Sequence, residues 1–333
     1  MNIDLQAKEI KPLRQTFDRV QAYIGDKPAS RYLEAVLDTQ PKENFHYRPT
    51  WEPAMELFDV RRSAIQMSDW NTLRDPRQFY YATWTMTRAR QQEAMDANYQ
   101  FVESRGLLEK MSEALRSDTA AILMPLRHIA WGGNMNNCSI SSRGYGTPFT
   151  APALMHAMDH LGTAQYLTRL GLLLGDVAAL DAGKAAWLQD AAWQPMRQLL
   201  EDTLVVQDPM ELFVAQNVAI DGLLYPLFYG QFVDEYVALR GGTAIAMLTV
   251  FMSEWHKESA RWVDAVLKTV ATQSDANRLL LQQWLTHYVV RAQAALEPLA
   301  TLAMGEQQGH AALKTVRIEL DTRLAKAGGL NIV

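Results

Sequence analysis

The residues whose types and spacing best suit metal chemistry are His156 and His160. They stand four positions apart in a stretch with helical periodicity, so both imidazoles would share one helix face and could bind one ion, with Asp159 beside them. A metal site needs more than two nitrogens, and no Glu lies between the pair as a zinc protease helix requires. Because a helical histidine pair without a third ligand is more often packed or solvated, the pattern predicts no metal site here.

The diiron carboxylate pattern is a second kind of metal chemistry to test in a helical chain. It needs a Glu from each of two helices and a Glu-x-x-His from each of two more. The one Glu-x-x-His of this sequence runs from Glu43 to His46, between Pro41 and Pro53. Prolines there exclude the helical geometry that would aim both side chains at one metal. The sequence therefore predicts no diiron ligands in this chain.

Motifs for nucleotide binding and nucleophilic catalysis are also missing. The sequence has no Gly-x-x-x-x-Gly-Lys loop, no Gly-x-Gly-x-x-Gly between a strand and a helix, and no Gly-x-Ser-x-Gly elbow. The single cysteine, Cys138, has no histidine near it in sequence to activate it, and we expect its thiol to be buried. We therefore predict no catalytic and no cofactor-binding residues, although distant residues can form an acid–base pair that no motif reveals.

Composition and charge narrow the class of protein. With 333 residues, 48% of them hydrophobic and 21% charged, the chain can bury a large core. A formal net charge of −5, with acidic and basic residues interleaved, gives no basic field for nucleic acid. The sequence has one cysteine, no secretory signal pattern and no run of eighteen apolar residues. We expect a protein of the reducing cytoplasm, with neither a nucleic-acid nor a membrane partner.

Helical periodicity dominates the chain, and strand patterns are nearly absent. Asp75 as N-cap and Pro76 in the first turn predict one helix of about thirty residues that ends before Gly106. The segment from Gly132 to Pro152 predicts a long irregular loop. The other predicted helices are 112–131, 152–175, 181–191, 193–206, 209–230, 243–271, 274–304 and 306–327.

These elements predict an all-α protein: a large antiparallel helix bundle in a single domain, 1–333. Within it we distinguish an extended N-terminal arm with short helices (1–74), the helix bundle (75–304) and a C-terminal helical tail (305–333). In the helix from Thr243, apolar residues including Trp255 and Trp262 fall on one stripe, which predicts a core-facing side. The opposite flank, with Glu254 and Glu258, predicts a solvated or interfacial charge ladder.

Several runs along the chain carry a resemblance to a known family. They are residues 26–32 (DKPASRY), 44–49 (NFHYRP), 75–81 (DPRQFYY), 125–128 (PLRH), 133–137 (GNMNN), 193–197 (WQPMR), 201–206 (EDTLVV), 220–227 (IDGLLYPL) and 257–262 (KESxRW). Taken together and in this order, they resemble the β, or small oxygenase, subunit of bacterial phenol hydroxylases, a branch of the soluble diiron multicomponent monooxygenases. The chain departs from the family pattern at His160, where an arginine is usual.

The resemblance implies a ferritin-like bundle without iron ligands, in a hydroxylase built as a dimer of αβγ protomers. The larger α subunit would hold the diiron centre, and this chain would be a non-catalytic subunit that packs against it. The implied reaction is hydroxylation of phenol or a related aromatic ring with O₂. Electrons would come from NADH through a separate reductase with FAD and a 2Fe-2S cluster, and a regulatory protein would dock on the complex.

Candidate subunit-interface residues follow from family-like positions in irregular backbone, which needs contacts from outside. They are His46, Tyr47, Arg48 and Trp51 in the arm, and Asp75, Arg77, Phe79 and Tyr80 at the start of the predicted helix.

Three alternatives stay open at this point. The chain could be an autonomous helical metalloenzyme that uses His156, His160 and carboxylates brought in by folding. It could be a hydroxylase β subunit for toluene or another hydrocarbon, because the segments after Asn137 and beyond Gly305 match the family least. It could also be a helical adaptor of an unrelated assembly.

Overall fold

A computed structural model describes residues 18–40 and 48–332, and every regular element in those residues is a helix. The sequence prediction of an all-α bundle is confirmed. The helices are α1 (Asp18–Ile24), α2 (Arg31–Val36), α3 (Tyr81–Ser104), α4 (Glu113–Leu123), α5 (Leu126–Arg143), α6 (Thr147–Gln189), α7 (Gln194–Thr203), α8 (Pro209–Arg240), α9 (Thr243–Gln273), α10 (Asp275–Met304) and α11 (Glu306–Lys326). Short 3₁₀ turns at Val60–Arg62 and Trp70–Thr72 lie between α2 and α3.

Helix boundaries follow the capping residues closely in the second half of the chain. The Ser274 side chain accepts a hydrogen bond from the Asn277 amide and starts α10 where the sequence predicts it. In the first half of the chain, the Ser112 side chain accepts a hydrogen bond from the Leu115 amide and starts α4 in the same way. The predicted helix 112–131 is interrupted at Pro125, which separates α4 from α5.

The predicted loop from Gly132 to Pro152 is wrong. Helix α5 continues to Arg143, and α6 begins at Thr147 after a three-residue turn. Its glycines serve close helix packing: a Cβ on Gly132 would lie 2.5 Å from the Leu200 side chain, and one on Gly133 would lie 2.7 Å from the His160 ring. These glycines allow two helices to pack closely. The sequence pattern predicted a loop because glycine more often interrupts a helix.

The predicted start of a helix at Asp75 is also wrong, because α3 begins at Tyr81. The Asp75 carboxylate instead accepts hydrogen bonds from the backbone amide and guanidinium of Arg77, which closes a turn. Gln78 adopts a left-handed φ of 54°, and this ends the turn before the helix can start. Local hydrogen bonding of Asp thus replaces N-capping at this position.

Helix α8 is the centre of the bundle. It combines α-helical turns with π-helical turns at Val214–Ile220 and Pro226–Val237, and side chains on all its sides are buried. By length and composition it is the one described helix that could span a membrane, but 94% of its most apolar window is buried inside the chain. The buried core helix of a soluble protein has the same properties. The apolar stripe of α9, with Trp255 and Trp262, packs into this core.

Helices α10 and α11 approach each other where Gly309 faces the backbone of Ala300. A Cβ added at Gly309 would lie 2.4 Å from the Ala300 carbonyl oxygen, and a backbone atom cannot move aside as a side chain can. This contact fixes the C-terminal helix against the bundle.

We expect Gly309→Ala to lower the free energy of unfolding by about 1–3 kcal/mol, as overpacking in a core does. The matched control is Gly162→Ala in α6, where a Cβ would meet nothing within 4 Å. That change should be neutral or stabilising by up to about 1 kcal/mol, because alanine favours a helix. Urea unfolding of the two variants measures the difference, and equal stability would contradict the close contact.

Candidate functional site

Two histidines from α6 and one aspartate from α8 meet in the centre of the bundle. The Nε2 atom of His160 lies 3.1 Å from Oδ2 of Asp221, and Nε2 of His156 lies 3.4 Å from the same oxygen. All three residues are at least 97% buried. Of the residues that the structure describes, these three form the group whose donor atoms could hold a metal ion, all within 4.8 Å of one another.

Helix geometry explains how the three side chains come together. His156 and His160 share one face of α6 because they are one helical turn apart. Asp221 follows directly after the π-helical turn Val214–Ile220. Because a π-helical turn is wider than an α-helical turn, it rotates the side chains that follow it around the helix axis. π-helical turns are frequent at functional sites, so the backbone here is a second sign of a specialised position.

A chain of amides holds the Asp221 carboxylate in place. The Gln216 side chain donates to Oδ1 of Asp221 at 2.8 Å, and Asn136 of α5 donates to Gln216 at 2.8 Å and to the Thr203 hydroxyl at 2.7 Å. The Gln216 bond occupies Oδ1 of Asp221, and Oδ2 contacts the two imidazoles. The carboxylate is therefore fixed in orientation before any ligand arrives.

Aromatic rings enclose the two imidazoles. The Trp255 ring lies 4.7 Å from the His156 ring and 5.0 Å from the His160 ring, and Trp262 lies 5.4 Å from His156. The Tyr225 hydroxyl is 3.5 Å from Nδ1 of His160. These rings separate the imidazoles from bulk solvent and keep the local dielectric low, which strengthens the polar contacts.

Burial sets the protonation of the site. Burial lowers the pKa of His156 to about 4, although the Asp221 hydrogen bond opposes this shift. Burial alone would raise the pKa of Asp221, but the adjacent His160 and His156 outweigh it and hold that pKa well below its usual range. At neutral pH the site therefore contains an ionised carboxylate beside a neutral His156.

An ion-pair network adjoins the histidines through Trp255. The indole N–H of Trp255 donates to the Asp159 carboxylate at 2.9 Å. The Arg88 guanidinium of α3 binds the same carboxylate through two hydrogen bonds of 2.7 Å. Arg88 also contacts Glu258 at 2.8 Å, so this acidic residue of α9 lies in a buried network and not on a solvated ladder. The network ties α3, α6 and α9 together.

The chemistry available to this site is limited by its composition. A diiron centre of the ferritin-like pattern takes four carboxylates and two imidazoles, whereas this group offers one carboxylate and two imidazoles. A neighbouring cavity of about 480 Å³ is lined by Tyr225 and His256, but neither His156, His160 nor Asp221 lines it. The group is suited to binding a proton or a single cation in a closed space.

The structure places the candidate interface residues in three different settings. Asp75, Arg77 and Phe79 direct their side chains into their own chain, where Arg77 lies over the Phe79 and Trp262 rings. Arg48 and Trp51 are exposed, Trp51 to 79%, and Tyr80 is half-buried. His46 and Tyr47 lie outside the described residues. Cys138, expected to be buried, is exposed on α5.

Sequence reasoning found the histidine pair but missed Asp221. The aspartate is 61 and 65 positions away from the two histidines, and its partner helix carries no ligand motif. One signal was available: between Glu211 and Asp234, Asp221 is the only charged side chain in an otherwise uncharged run. An isolated ionisable residue in a core helix must be paired.

Comparison with known proteins identifies the family. The Methane/Phenol/Alkene Hydroxylase family profile matches residues 51–274. The chain is 47% identical over 330 residues, 98% of each chain, to the phenol 2-monooxygenase oxygenase component DmpL of Pseudomonas sp. strain CF600. The chain belongs to the methane/phenol/alkene hydroxylase family. The resemblance to the small oxygenase subunit of phenol hydroxylases is thereby confirmed.

Solved structures of this hydroxylase family agree with the sequence comparison. A chain of the xenon-pressurized phenol hydroxylase from Pseudomonas sp. OX1 superposes with a TM-score of 0.89 at 43% identity, covering 97% of this chain and 98% of that one. A chain of toluene 4-monooxygenase superposes with a TM-score of 0.70 at 18% identity, over 76% of this chain and 83% of that one, and shows the same fold. The bundle is thus the helical ferritin-like fold of the hydroxylase family.

The buried ion pair of Arg88 and Asp159 should be important for stability. We expect Arg88→Met to lower the free energy of unfolding by about 3–5 kcal/mol, because it leaves the Asp159 carboxylate buried without its cation. Arg169→Met removes more exposed contacts between the same two helices: ion pairs with Asp96 and Glu103, and a guanidinium contact with the Tyr99 ring. The Arg169 and Asp96 side chains are 42% and 53% exposed. That control should change stability by about 1 kcal/mol or less. Chemical denaturation measures both, and similar losses in the two variants would contradict a special role of burial.

Acid should destabilise the folded chain through His156. Its pKa is about 4 when folded and about 6.5 when unfolded, so the unfolded chain binds the extra proton between these values. This contribution is present above pH 6.5 and is lost as the pH falls towards 4. With metal ions chelated, His156→Gln should reduce the fall in unfolding free energy between pH 6.5 and 5 by about 1 kcal/mol per pH unit. The control His310→Gln replaces an exposed histidine and should keep the wild-type slope.

Proposed function

We propose that this chain is the non-catalytic β subunit of a multicomponent diiron monooxygenase that hydroxylates phenol or related aromatics. The observation that carries the proposal is the composition of the buried centre: one carboxylate and two imidazoles are too few for two irons. Similarity over nearly the full length to phenol 2-monooxygenase oxygenase components supports the reaction. Oxygen chemistry would then take place in the α subunit, which carries the diiron centre.

The assembly would follow the family arrangement. This subunit would pack against α and, with γ, form an (αβγ)₂ hydroxylase in the cytoplasm. A separate reductase with FAD and a 2Fe-2S cluster would deliver electrons from NADH, and a regulatory protein would dock on the complex. The role of this chain would be to hold the helices of α in place, so that catalysis depends on it indirectly.

The surface formed by α5 and α6 is our candidate for the contact with α. The candidate surface consists of five exposed side chains of these helices: Trp131, Met135, Cys138, Leu154 and Met158. They follow helical spacing on each helix, so each set forms one stripe. Large apolar residues clustered on a surface are typical of permanent subunit interfaces. We call these five residues the α5–α6 face.

A hydrogen bond shows that the two stripes are neighbours. Asn134 lies within the α5 stripe, and its side chain donates at 2.8 Å to the carbonyl of Ala157, which precedes Met158 on α6. The five side chains therefore form one surface and not two separate ones. Trp131, which is 53% exposed, has the size and rigidity of an interface anchor.

The arm supplies a second part of the proposed interface. Arg48, Trp51 and Tyr80 reach the surface, and we retain them as contact residues together with His46 and Tyr47. Asp75, Arg77 and Phe79 would contribute to the interface indirectly. Their side chains pack inside the chain and would hold Tyr80 in position.

Assembly with α should depend on the α5–α6 face. We expect Trp131→Asp to weaken co-purification with co-expressed α and γ subunits at least about tenfold, because a charge replaces a desolvated anchor. Phenol hydroxylation by the purified hydroxylase should fall in parallel. The control Ile318→Asp changes an equally exposed residue on α11 and should assemble normally. A folded Trp131→Asp chain that assembles like the wild type would overturn this surface assignment.

Cys138 provides an independent readout of the same interface in the unmodified protein. It is the only cysteine of the chain, it is exposed on the α5–α6 face, and partial burial raises the pKa of its thiol. N-ethylmaleimide should therefore label it slowly but completely in the isolated chain, and much less in the assembled hydroxylase. Peptide mass spectrometry measures both fractions. Equal labelling would mean that α does not cover this face.

A further inference from the structure

We propose that His156, His160 and Asp221 bind one divalent cation of the zinc type, as a closed structural site inside the bundle. The ligand atoms would be the two Nε2 atoms and Oδ2 of Asp221. This inference goes beyond the proposed function and does not depend on it, because a subunit of any activity could contain such a site.

The distances between the donor atoms suit a single small cation. Zinc binds imidazole nitrogen and carboxylate oxygen at about 2.0–2.2 Å, and tetrahedral geometry then separates two ligand atoms by about 3.3–3.6 Å. The two Nε2–Oδ2 separations are 3.1 and 3.4 Å, and all three donor atoms lie within 4.8 Å of one another. The two nitrogen–oxygen separations are thus close to the expected values, and the two imidazoles would move towards each other as the ion binds.

The orientation of the carboxylate favours monodentate binding. Gln216 occupies Oδ1 of Asp221, so Oδ2 alone faces the two imidazoles. Outer partners of this kind fix metal ligands in known sites. Asn136 in turn holds Gln216, and the Tyr225 hydroxyl stands 3.5 Å from the second nitrogen of His160. Two of the three ligands therefore have the supporting contacts that a metal site requires.

The charge balance of the site also favours a cation. Asp221 is buried, and in the described part of the chain no arginine or lysine forms an ion pair or hydrogen bond with it. A divalent ion would add positive charge beside this carboxylate, whose polar partners are imidazole and amide groups.

The surroundings indicate a structural and not a catalytic ion. Three protein ligands leave a fourth position, which one water molecule would fill, and the rings of Trp255, Trp262 and Tyr225 separate the group from bulk solvent. None of the three ligands lines the neighbouring cavity of about 480 Å³. Two imidazoles with one carboxylate suit zinc and similar transition metals better than magnesium or calcium, which prefer oxygen ligands. The ion would join α6 to α8 and stabilise the centre of the bundle.

Metal content of the full chain tests the site directly. Because the group is buried, the chain should be expressed in minimal medium supplemented with Zn²⁺, so that the ion can enter during folding. After extensive dialysis, we expect about one zinc per chain by elemental mass spectrometry in the wild type and in the control His310→Gln, which changes an exposed histidine. Asp221→Asn and His160→Gln should each lose at least nine-tenths of this metal.

Cobalt binding provides a second measurement, and its result for the wild type does not depend on the folding of any variant. Wild-type chain produced with Co²⁺ should show the strong visible absorption of four-coordinate cobalt, and Asp221→Asn, checked for helical content by circular dichroism, should not. Zinc-free and cobalt-free wild type would overturn the proposal, as would a folded Asp221→Asn that retains its metal. Co-purification of Asp221→Asn with α reports separately on the subunit role, so the two proposals can fail independently.

Discussion

The bundle depends on a simple electrostatic constraint: a carboxylate buried among apolar helices must be neutralised by groups from other helices. Asp159 meets this requirement with the Arg88 guanidinium and the indole N–H groups of Trp84 and Trp255. Asp221 meets it with two imidazoles and an amide. Each carboxylate thereby joins its own helix to others, and the hydrophobic core is built around these two fixed points.

Close helix contacts make this arrangement possible. Gly133 lets α5 lie directly against the His160 ring, and the neighbouring Asn136 and Asn137 place amides at the same level of the core. Asn137 and Asn217 exchange two hydrogen bonds of 2.9 Å between α5 and α8. A buried polar layer of this kind favours one packing of the helices, because a shift would break the hydrogen bonds between them. Gln216 and Asn217 of this layer lie in the π-helical turn Val214–Ile220 of α8.

This organisation is consistent with a division of labour in a multisubunit hydroxylase. The same fold that can carry a metal centre is used here with a core in which few acidic groups converge, and those are already paired. Trp131, Met135, Leu154 and Met158 are exposed on α5 and α6, helices that also contribute to the buried polar centre. A partner that docks on this face would contact helices whose positions are already fixed by buried hydrogen bonds. Binding would therefore cost little conformational entropy.

The sequence by itself determined the fold class, most helix ends in the second half of the chain, the family, and the fact that His156 and His160 share one helix face. Those features are local: caps, breakers and a period of 3.6 residues act within a few positions. The tertiary structure alone decided that Asp221 completes the group, that residues after Gly132 are helical, that Asp75 and Arg77 face inward, and that Cys138 is exposed. These outcomes depend on contacts between residues distant in the chain, where packing between helices outweighs local preference.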